Sequence, residues 1–303
     1  LGWGVHMKTA YIALSHRCNH NCIMCPLSHA DRERAQLSYD DILDALSNEH
    51  LSVGDHVTLS GGEPTLMPFL VDLAEWLTCR GIRATLLTNS SGFADASLAR
   101  RIAEVTSPER FNVVTAIHSA DPDLHDKITG IPGSWQQSMR GLCNLIDAGV
   151  NISVKHIVTA LTYNGLPRFA EMIRQYFPPQ VEVQFTSADY SGKALENAKV
   201  LRVTFAEAQE KLEQALHILT QECITPYRVS IIEMPLCACQ SEYRQYFRLM
   251  GNTLNLYMAP NIPDQGGVIR QLQNECAPRY DECQRCDVRC FCPGAWTTAY
   301  ELV

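Results

Sequence analysis

The sequence has 303 residues, of which 46% are hydrophobic, and a formal net charge of −8 at pH 7. A chain of this length and apolar content buries a core large enough for one big domain or two unequal domains. The acidic balance argues against nucleic acid as the main partner, and no apolar run reaches the roughly 20 residues that span a bilayer. No signal peptide is recognisable, so we expect a cytoplasmic protein.

Short β-rich runs alternate with amphipathic helical stretches from residue 9 to about residue 222. The six predicted strands cover residues 10–15, 56–60, 83–88, 111–118, 151–158 and 181–186. Strands that alternate with helices in this way form right-handed βαβ units and a parallel sheet. Six units, without a seventh or an eighth, predict an α/β fold with a partial (β/α)6 barrel rather than a closed eight-stranded barrel.

Capping residues mark the ends of several predicted helices. A helix over residues 68–78 ends at Gly81, and a longer one over residues 205–221 begins with a capping box of Thr204 and Glu207. The apolar face of the longer helix consists of Ala208, Leu212, Ala215 and Leu219. We expect this helix to be the last one of the barrel.

The 13 cysteines are unevenly distributed. Three lie near the N-terminus and seven lie in the stretch 237–292, whereas Cys79, Cys143 and Cys223 are scattered and are expected to be small core residues. The odd number and the missing export signal favour metal binding over a disulfide framework. We therefore expect two domains: a barrel over residues 7–222, with Met7 as the native start, and a small metal-bound domain over residues 223–303.

Cys18, Cys22 and Cys25 form a C-x₃-C-x₂-C motif on the loop after the first predicted strand. Thiolates are the preferred ligands of iron–sulfur clusters, and three of them can bind three corners of a cubane. The fourth iron then stays open to bind a cofactor directly. The alternative at this point is a zinc site, in which His20 supplies the fourth ligand that zinc requires.

A second motif, Ser-Gly-Gly-Glu-Pro-Thr over residues 60–65, stands at the end of the second predicted strand. Gly61 and Gly62 allow the backbone to approach a ligand closely, and Glu63 offers a carboxylate to an ammonium group. A plain strand-to-helix turn would use two glycines as well.

The two motifs together, about 35 residues apart, resemble the radical S-adenosylmethionine (SAM) superfamily. The resemblance implies that the three cysteines hold a [4Fe–4S] cluster whose open iron binds the amine and carboxylate of SAM. It also implies that the Gly-Gly-Glu segment binds the SAM amino group. An electron from the cluster, supplied by a donor such as flavodoxin or ferredoxin, would cleave SAM to a 5′-deoxyadenosyl radical that abstracts a substrate hydrogen.

The resemblance extends to looser matches near the tips of the strands. It implies that Asn89 and Ser119 contact the ribose and carboxylate of SAM and that Lys155 pairs with the SAM carboxylate. Met24 stands where many members of the superfamily place an aromatic residue beside the adenine, and Met is also a good apolar contact. The alternative for each polar residue is a solvated side chain at the barrel mouth.

The C-terminal cysteines form a third constellation. Cys283, Cys286 and Cys292 form C-x₂-C-x₅-C followed by Pro-Gly, which resembles the first three cysteines of the auxiliary-cluster domains called SPASM and Twitch. Trp296 occupies the position of the fourth SPASM cysteine, so the resemblance implies one auxiliary [4Fe–4S] cluster of the Twitch kind, with Cys237 as its remaining ligand. The spare cysteines, any of which could replace a named ligand, are Cys239, Cys276 and Cys290. A zinc ribbon is the alternative, because C-x₂-C also suits zinc.

A longer stretch over residues 118–134, with residues 141–145 after it, resembles the maturase of the His-Xaa-Ser peptide system. The resemblance implies a ribosomally made peptide as the substrate. Asp121, His125 and Asp126 within it are expected to form a capped loop and a short helix rather than a catalytic cluster.

Two other functions stay open at this stage. One is a small-molecule tailoring enzyme with the same Twitch plan, such as a dehydrogenase. The other is a non-catalytic iron–sulfur sensor, against which the Gly-Gly-Glu-Pro segment argues because a sensor needs no SAM site. Gln184, Tyr190 and Lys193 lie where a substrate is expected, but no residue is singled out as a catalytic acid or base.

Overall fold

The structure, a computed structural model, describes residues 7–32, 36–221, 226–248, 253–260, 268–273, 276–277 and 281–296. The strands within these residues are β1 Thr9–Ser15, β2 His56–Gly61, β3 Arg83–Thr88, β4 Phe111–Ala116, β5 Asn151–Val158, β6 Glu182–Ser187, β7 Arg228–Ile232, β8 Thr253–Met258, β9 Val268–Gln273, β10 Cys276–Ala277 and β11 Ala295–Trp296. The α-helices are α1 His29–Arg32, α2 Tyr39–Asn48, α3 Leu70–Cys79, α4 Ala96–Val105, α5 Pro122–Thr129, α6 Ser134–Asp147, α7 Leu166–Tyr176, α8 Gly192–Glu196, α9 Ala198–Leu201 and α10 Phe205–Thr220.

Nine of these strands form one open sheet in the order β7-β6-β5-β4-β3-β2-β1-β8-β9. Eight of them are parallel, and β9 pairs antiparallel with β8 at one edge. The predicted α/β fold with an open, incomplete barrel sheet is confirmed. The expected six strands are β1 to β6, and β7 and β8 extend the parallel sheet at its two sides.

The sheet includes strands from both sides of the predicted boundary at residue 222. β7 continues the parallel order beyond β6, and β8 returns to pair with β1. The two short strands β10 and β11 form a separate antiparallel pair, in which Cys276 lies opposite Trp296. The division into domains at residues 222 and 223 stays a prediction.

Local hydrogen bonds explain where the elements depart from their predicted bounds. β4 ends at Ala116, two residues earlier than predicted, because the backbone N–H of His118 donates to Nδ1 of His125 instead of to a strand. The helix predicted from residue 68 begins at Leu70. The capping box of Thr204 and Glu207 is confirmed, with both reciprocal hydrogen bonds formed.

The core lies between the sheet and the surrounding helices. Its largest fully buried side chains include Phe93, Phe111, Phe169 and Phe185. The apolar face predicted for the long helix, now α10, is buried as expected. The core role expected for Cys79 and Cys143 is wrong: Cys79 is the exposed last residue of α3, and Cys143 is exposed on α6. Cys223 lies outside the described residues.

Helices of the described part of the chain are all too short or too polar to cross a membrane.

Candidate cluster and cofactor site

The candidate site lies where the first parallel strands end. The loop that carries Cys18, Cys22 and Cys25 follows β1, and residues 61–63 lie at the end of β2 and directly after it. Asn89 and Ser119 come after β3 and β4. Because the carboxyl ends of parallel strands meet at one edge of a sheet, all these residues lie at the same edge, where ligands of open α/β sheets bind.

The cysteine loop is fixed along one side by the end of α5. The backbone N–H of Asn21 donates to the carbonyl of Thr129 at 2.8 Å, and that of Ile23 donates to the carbonyl of Ile128 at 2.9 Å. Within the loop, the N–H of Cys25 donates to the carbonyl of Cys22 at 3.3 Å. The N–H groups of Asn21, Ile23 and Cys25 are therefore used by the protein itself.

The other side of the loop is fixed by α8. Lys193 Nζ donates to the carbonyl of Asn21 at 2.9 Å and to its Oδ1 at 2.5 Å. Asn197 Nδ2 donates to the carbonyl of Ile23 at 3.2 Å, and the N–H of Ala194 donates to that of Cys25 at 3.0 Å. Lys193, which we expected near a substrate, is thus a buried support of the cysteine loop.

The thiols of the loop are half-buried and interact with one another. Burial raises the pKa of Cys22 to about 12, and the thiolates of Cys25 and Cys18 act in the same direction. Burial also raises the pKa of Cys18 to about 11, although the N–H of His20 donates to its Sγ at 3.3 Å. Without a cation the thiols of Cys18 and Cys22 stay protonated at neutral pH. A bound metal supplies the positive charge that converts them to ligands.

The donor set fits a [4Fe–4S] cluster better than a zinc ion. Within the ranges that the structure describes, no three His, Cys, Asp or Glu side chains converge so as to hold a single metal ion. A cubane cluster does not require its ligands to converge on one ion, because each thiolate binds a different iron. Burial lowers the pKa of His20, the fourth zinc ligand considered above, to about 4, so its imidazole is neutral at pH 7 and would suit a metal. It is therefore the placement of the side chains within the described residues that disfavours zinc.

The two glycines at the end of β2 allow a close approach within the protein itself. The N–H of Gly62 donates to the carbonyl of Ser15 at 2.6 Å, and that of Glu63 donates to the carbonyl of Arg17 at 2.8 Å. A Cβ added to Gly61 would lie 2.2 Å from the Ser15 oxygen, and one added to Gly62 would lie 2.0 Å from the Arg17 oxygen. The glycines therefore let this segment pack directly on the start of the cysteine loop.

Glu63 is only 1% exposed, and its carboxylate is held by three neighbouring residues. Oε1 accepts hydrogen bonds from the N–H of Thr65 at 3.0 Å, from its Oγ1 at 2.7 Å and from Thr88 Oγ1 at 2.6 Å. Oε2 accepts one, from the N–H of Asn89 at 2.8 Å, and so keeps a free lone pair. Burial raises the pKa of Glu63, while the hydrogen bonds from Thr65 and Thr88 lower it.

Thr65 and Thr88 were missed from the sequence. Thr65 lies two residues after Glu63, a spacing at which Glu63 caps the short 3₁₀ turn Pro64–Leu66. Thr88 ends β3, and only the pairing of β2 with β3 brings it to Glu63. The contact of Thr65 with Glu63 had a local sequence signal in their spacing, whereas the contact of Thr88 with Glu63 had none.

Asn89 links the segment after β3 to the cysteine loop. Its Nδ2 donates to Oδ1 of Asn19 at 2.8 Å and lies 4.0 Å from Sγ of Cys18. Ser119 is buried, and its Oγ accepts a hydrogen bond from the N–H of Asp121 at 2.9 Å. Met24 is also buried and belongs to a small apolar cluster beside the cysteine loop.

Lys155 lies on β5 and pairs within the protein. Its Nζ is 3.7 Å from Oε2 of Glu233, whose carboxylate also accepts a hydrogen bond from Thr186 Oγ1 at 2.6 Å. Glu233, directly after β7, has a φ of 57°, a backbone conformation that is rare for a residue other than glycine and that often marks a functional position. Gln184, one of the residues expected near a substrate, donates to Glu182 at 3.1 Å. Tyr190, another of them, is buried, and its hydroxyl lies 3.4 Å from the carbonyl of Leu201.

The segment after β4 is the capped loop and helix that we expected. Oδ1 of Asp121 accepts from the N–H of Asp123 at 3.1 Å and so caps α5. Oδ1 of Asp126 accepts from the N–H of Trp135 and from Ser134 Oγ, both at 2.8 Å. Nδ1 of His125 accepts from the backbone of His118 at 3.2 Å.

The structure brings Cys237 together with the three cysteines of the C-terminal motif. Burial raises the pKa of Cys237, and the thiolates of Cys292, Cys283 and Cys286 act in the same direction. Sγ of Cys292 also accepts a hydrogen bond from the N–H of Leu236, next to Cys237, at 3.3 Å. The two spare cysteines whose side chains are described differ in setting: Cys239 is buried beside Glu213, and Cys290 is exposed.

Comparison with known proteins gives one family match. The model of the Radical SAM superfamily matches residues 12–176, more than half of the chain. The chain is 25% identical over 169 residues to an Fe-coproporphyrin III synthase of Methanosarcina barkeri, covering 55% of this chain and 41% of that one. It is 27% identical over 171 residues to a probable GTP 3′,8-cyclase of Saccharolobus solfataricus, covering 56% and 54%. The match thus spans about half the length of these relatives.

Two solved structures share the fold at low sequence identity. Streptococcus suis SuiB bound to the precursor peptide SuiA has a TM-score of 0.66 at 14% identity, covering 98% of this chain and 73% of that one. The anSMEcpe protein with bound AdoMet has a TM-score of 0.65 at 16% identity, covering 93% and 86%.

Proposed function

Since the chain belongs to the radical SAM superfamily, we propose that it cleaves SAM reductively and uses the resulting radical to modify a ribosomally made peptide. The chain is a radical SAM enzyme, and its family implies a [4Fe–4S] cluster and SAM. The observation that carries the proposal is that Asn89 connects Glu63 to the cysteine loop at the carboxyl ends of the strands. The N–H of Asn89 donates to Oε2 of Glu63, and its Nδ2 lies 4.0 Å from Sγ of Cys18.

Cys18, Cys22 and Cys25 would hold the cluster. When bound, the cluster supplies the electron that breaks the S–C5′ bond of SAM, so that the 5′-deoxyadenosyl radical can abstract a substrate hydrogen. Glu63 supports binding of the SAM amino group, because its Oε2 accepts only one hydrogen bond from the protein. A carboxylate fixed by three neighbours needs no reorganisation to accept an ammonium group.

Three further residues complete the proposed SAM site. Ser119 keeps its hydroxyl proton available, because its Oγ serves as an acceptor toward Asp121. Asn89 lies beside Cys18, and buried Met24 offers an apolar surface to the adenine. Lys155 would have to exchange Glu233 for the SAM carboxylate, so we place it at the border between SAM and substrate.

A peptide substrate is supported by the neighbours in fold, SuiB with the bound precursor peptide SuiA and anSMEcpe with a bound Kp18Cys peptide. The alternative is a small-molecule tailoring enzyme. It is supported by the relatives in sequence, which are named a GTP cyclase and a coproporphyrin synthase. The Lys155–Glu233 pair favours a polar substrate in either case, because it offers both charges.

The C-terminal cysteines support a second, auxiliary [4Fe–4S] cluster. We assign its ligands to Cys237, Cys283, Cys286 and Cys292, because the last three all act electrostatically on the thiol of Cys237. Such a cluster would bind or orient the substrate, or accept the electron that is left after hydrogen abstraction. A flavodoxin or ferredoxin would supply the electron that starts the reaction.

Anaerobic incubation of the reconstituted protein with SAM and dithionite tests the proposal. We expect 5′-deoxyadenosine to form in the wild-type protein and to be absent in the Cys22→Ala variant. The Cys143→Ala variant, which changes an exposed cysteine of α6, is the matched control and should behave like wild type. If reconstituted wild-type protein makes no 5′-deoxyadenosine, the proposed activity is wrong.

A further inference from the structure

Two basic side chains donate hydrogen bonds to the stretch between Cys18 and Cys22. Arg32 at the end of α1 donates from Nη1 to the carbonyl of His20 at 2.6 Å. Lys193 on α8 donates from Nζ to the carbonyl and the side-chain oxygen of Asn21. All of these acceptors are neutral, so neither contact balances the charge of its donor.

The setting of Lys193 makes an unbalanced charge costly. The residue is only 5% exposed. In the part of the chain that the structure describes, neither Lys193 nor Arg32 forms an ion pair with a carboxylate. Burial lowers the pKa of Lys193, and repulsion by the positive charge of Arg32 lowers it further. Buried charges in proteins are normally paired or coordinate a metal site.

The groups that face these cations are the thiols of the loop. Lys193 binds the residue directly before Cys22, and Arg32 binds the residue two positions before it. Cys25 and Cys22 in turn act to raise the pKa of Lys193, and Glu196 on the same helix does so more weakly. An oxidised [4Fe–4S] core with three thiolates is a net anion, and its reduction adds one further negative charge.

We propose that Lys193 and Arg32 are the built-in counter-charge of the loop cluster and raise its reduction potential by stabilising the reduced, more negative state. The inference rests on the proposed function, because it requires the loop to bind a [4Fe–4S] cluster. Both are positioning residues that act through the cluster and its loop. Their charge makes the cluster easier to reduce by its electron donor before SAM is cleaved.

Two variants separate the charge of Lys193 from its hydrogen bonds, and a third variant serves as their control. Lys193→Gln retains a donor toward Asn21 but removes the charge, whereas Lys193→Met removes both. The matched control is Lys199→Met, which changes an exposed lysine on the next helix, α9. The reconstituted proteins are titrated with dithionite in the absence of SAM and followed by electron paramagnetic resonance. The signal of the loop cluster is the one that Cys22→Ala removes.

At the wild-type midpoint potential, we expect the ratio of reduced to oxidised loop cluster to fall about tenfold in Lys193→Gln and Lys193→Met. For a one-electron couple this is a shift of about 59 mV. Lys199→Met should keep the wild-type ratio. A wild-type ratio in Lys193→Gln together with a lower one in Lys193→Met would mean that the hydrogen bond matters and the charge does not, and would overturn the proposal.

A second pair of variants tests the proposal if the Lys193 variants fail to assemble the cluster. Arg32→Gln should lower the ratio in the same direction, and Arg32→Lys should restore it; an unchanged ratio in Arg32→Gln overturns the proposal. Wild-type protein that holds no [4Fe–4S] cluster overturns both this inference and the proposed function. Wild-type protein that holds the cluster but makes no 5′-deoxyadenosine overturns the proposed function alone, because the potential is measured without SAM.

Discussion

Glu63 shows at the scale of a single residue how burial and hydrogen bonds act against each other on a carboxylate. Its carboxylate is buried, which raises its pKa, and hydrogen bonds from Thr65 and Thr88 oppose that effect. The charged form therefore depends on its two threonine neighbours. Without them the carboxyl group would be protonated at a higher pH and would lose its attraction for an ammonium group.

The Thr88→Val variant tests this dependence. It removes the hydrogen bond to Oε1 and keeps the shape of the side chain. A hydrogen bond to a charged group contributes about 1.5–3 kcal/mol, so we expect the Kd for SAM to rise roughly tenfold or more. Because the pKa of Glu63 rises further in the variant, SAM binding should fail at a higher pH on acidification than in the wild type. Calorimetric titration with SAM at several pH values measures both effects.

Thr106→Val is the control for this variant. Thr106 caps the end of α4 through a hydrogen bond to Ile102 and lies away from Glu63. The Kd of the Thr106→Val variant for SAM and the pH dependence of that Kd should equal those of the wild type. Unchanged SAM binding in Thr88→Val at all pH values would show that Glu63 does not depend on Thr88.

At the scale of elements, the cysteine loop is positioned by three neighbours. The end of α5 accepts its N–H groups, α8 donates to its carbonyls, and the segment after β2 packs on its start. The third contact is the tightest, because the glycine segment leaves no room for side chains. Hydrogen bonds and packing with the rest of the protein therefore define the loop geometry.

A Gly62→Ala substitution should disturb this contact. The added Cβ would lie 2.0 Å from the backbone oxygen of Arg17, so one of the two segments must move. Overpacking of this kind costs about 1–3 kcal/mol, which should appear as a lower Tm of the metal-free protein. Gly165→Ala is the matched control, since nothing lies within 4 Å of its added Cβ. Equal melting temperatures of the two variants would contradict the packing role of Gly62.

At the scale of the whole molecule, the cysteines of the two spaced motifs form two groups. One follows β1, and the other joins Cys237, just after β7, to the cysteines of residues 283–292. These groups come from opposite ends of the sequence, yet both are attached to the same sheet through β1 and β7. A substrate held between two clusters would therefore be positioned by one rigid sheet.

Iron analysis tests this arrangement. We expect about eight irons per reconstituted wild-type chain and about four in Cys283→Ala, on the stoichiometry of two cubanes. The Cys283→Ala variant should still cleave SAM, because the loop cluster is untouched. Exposed Cys290 provides the matched control, since Cys290→Ala should keep the wild-type iron content. Four irons in the wild type would show that the chain binds a single cluster.

Elements with a hydrophobic period and motifs with a fixed residue spacing were predictable from the sequence. Pairings between segments that are distant in the sequence were not. The strands β1 to β6 and the cap of α10 have local signals, and both cysteine motifs are defined by spacing. β7 and β8 were missed because they are short runs within Cys-rich sequence that resembles a separate metal domain. The support of the cysteine loop by Lys193 was also missed, because 172 residues separate Lys193 from Asn21.

The pairing of β1 with β8 has a consequence for the order of synthesis. The N–H of Thr9 donates to Oδ1 of Asn255 at 2.9 Å across 246 residues, and Tyr11 stacks on Tyr257. A ribosome that adds about 5–20 residues per second needs roughly 12–50 s to make that stretch. During this time one side of the first strand has no partner. The nascent chain thus exposes one side of this strand, a target for chaperones, next to the thiols of Cys18, Cys22 and Cys25, which are open to oxidation.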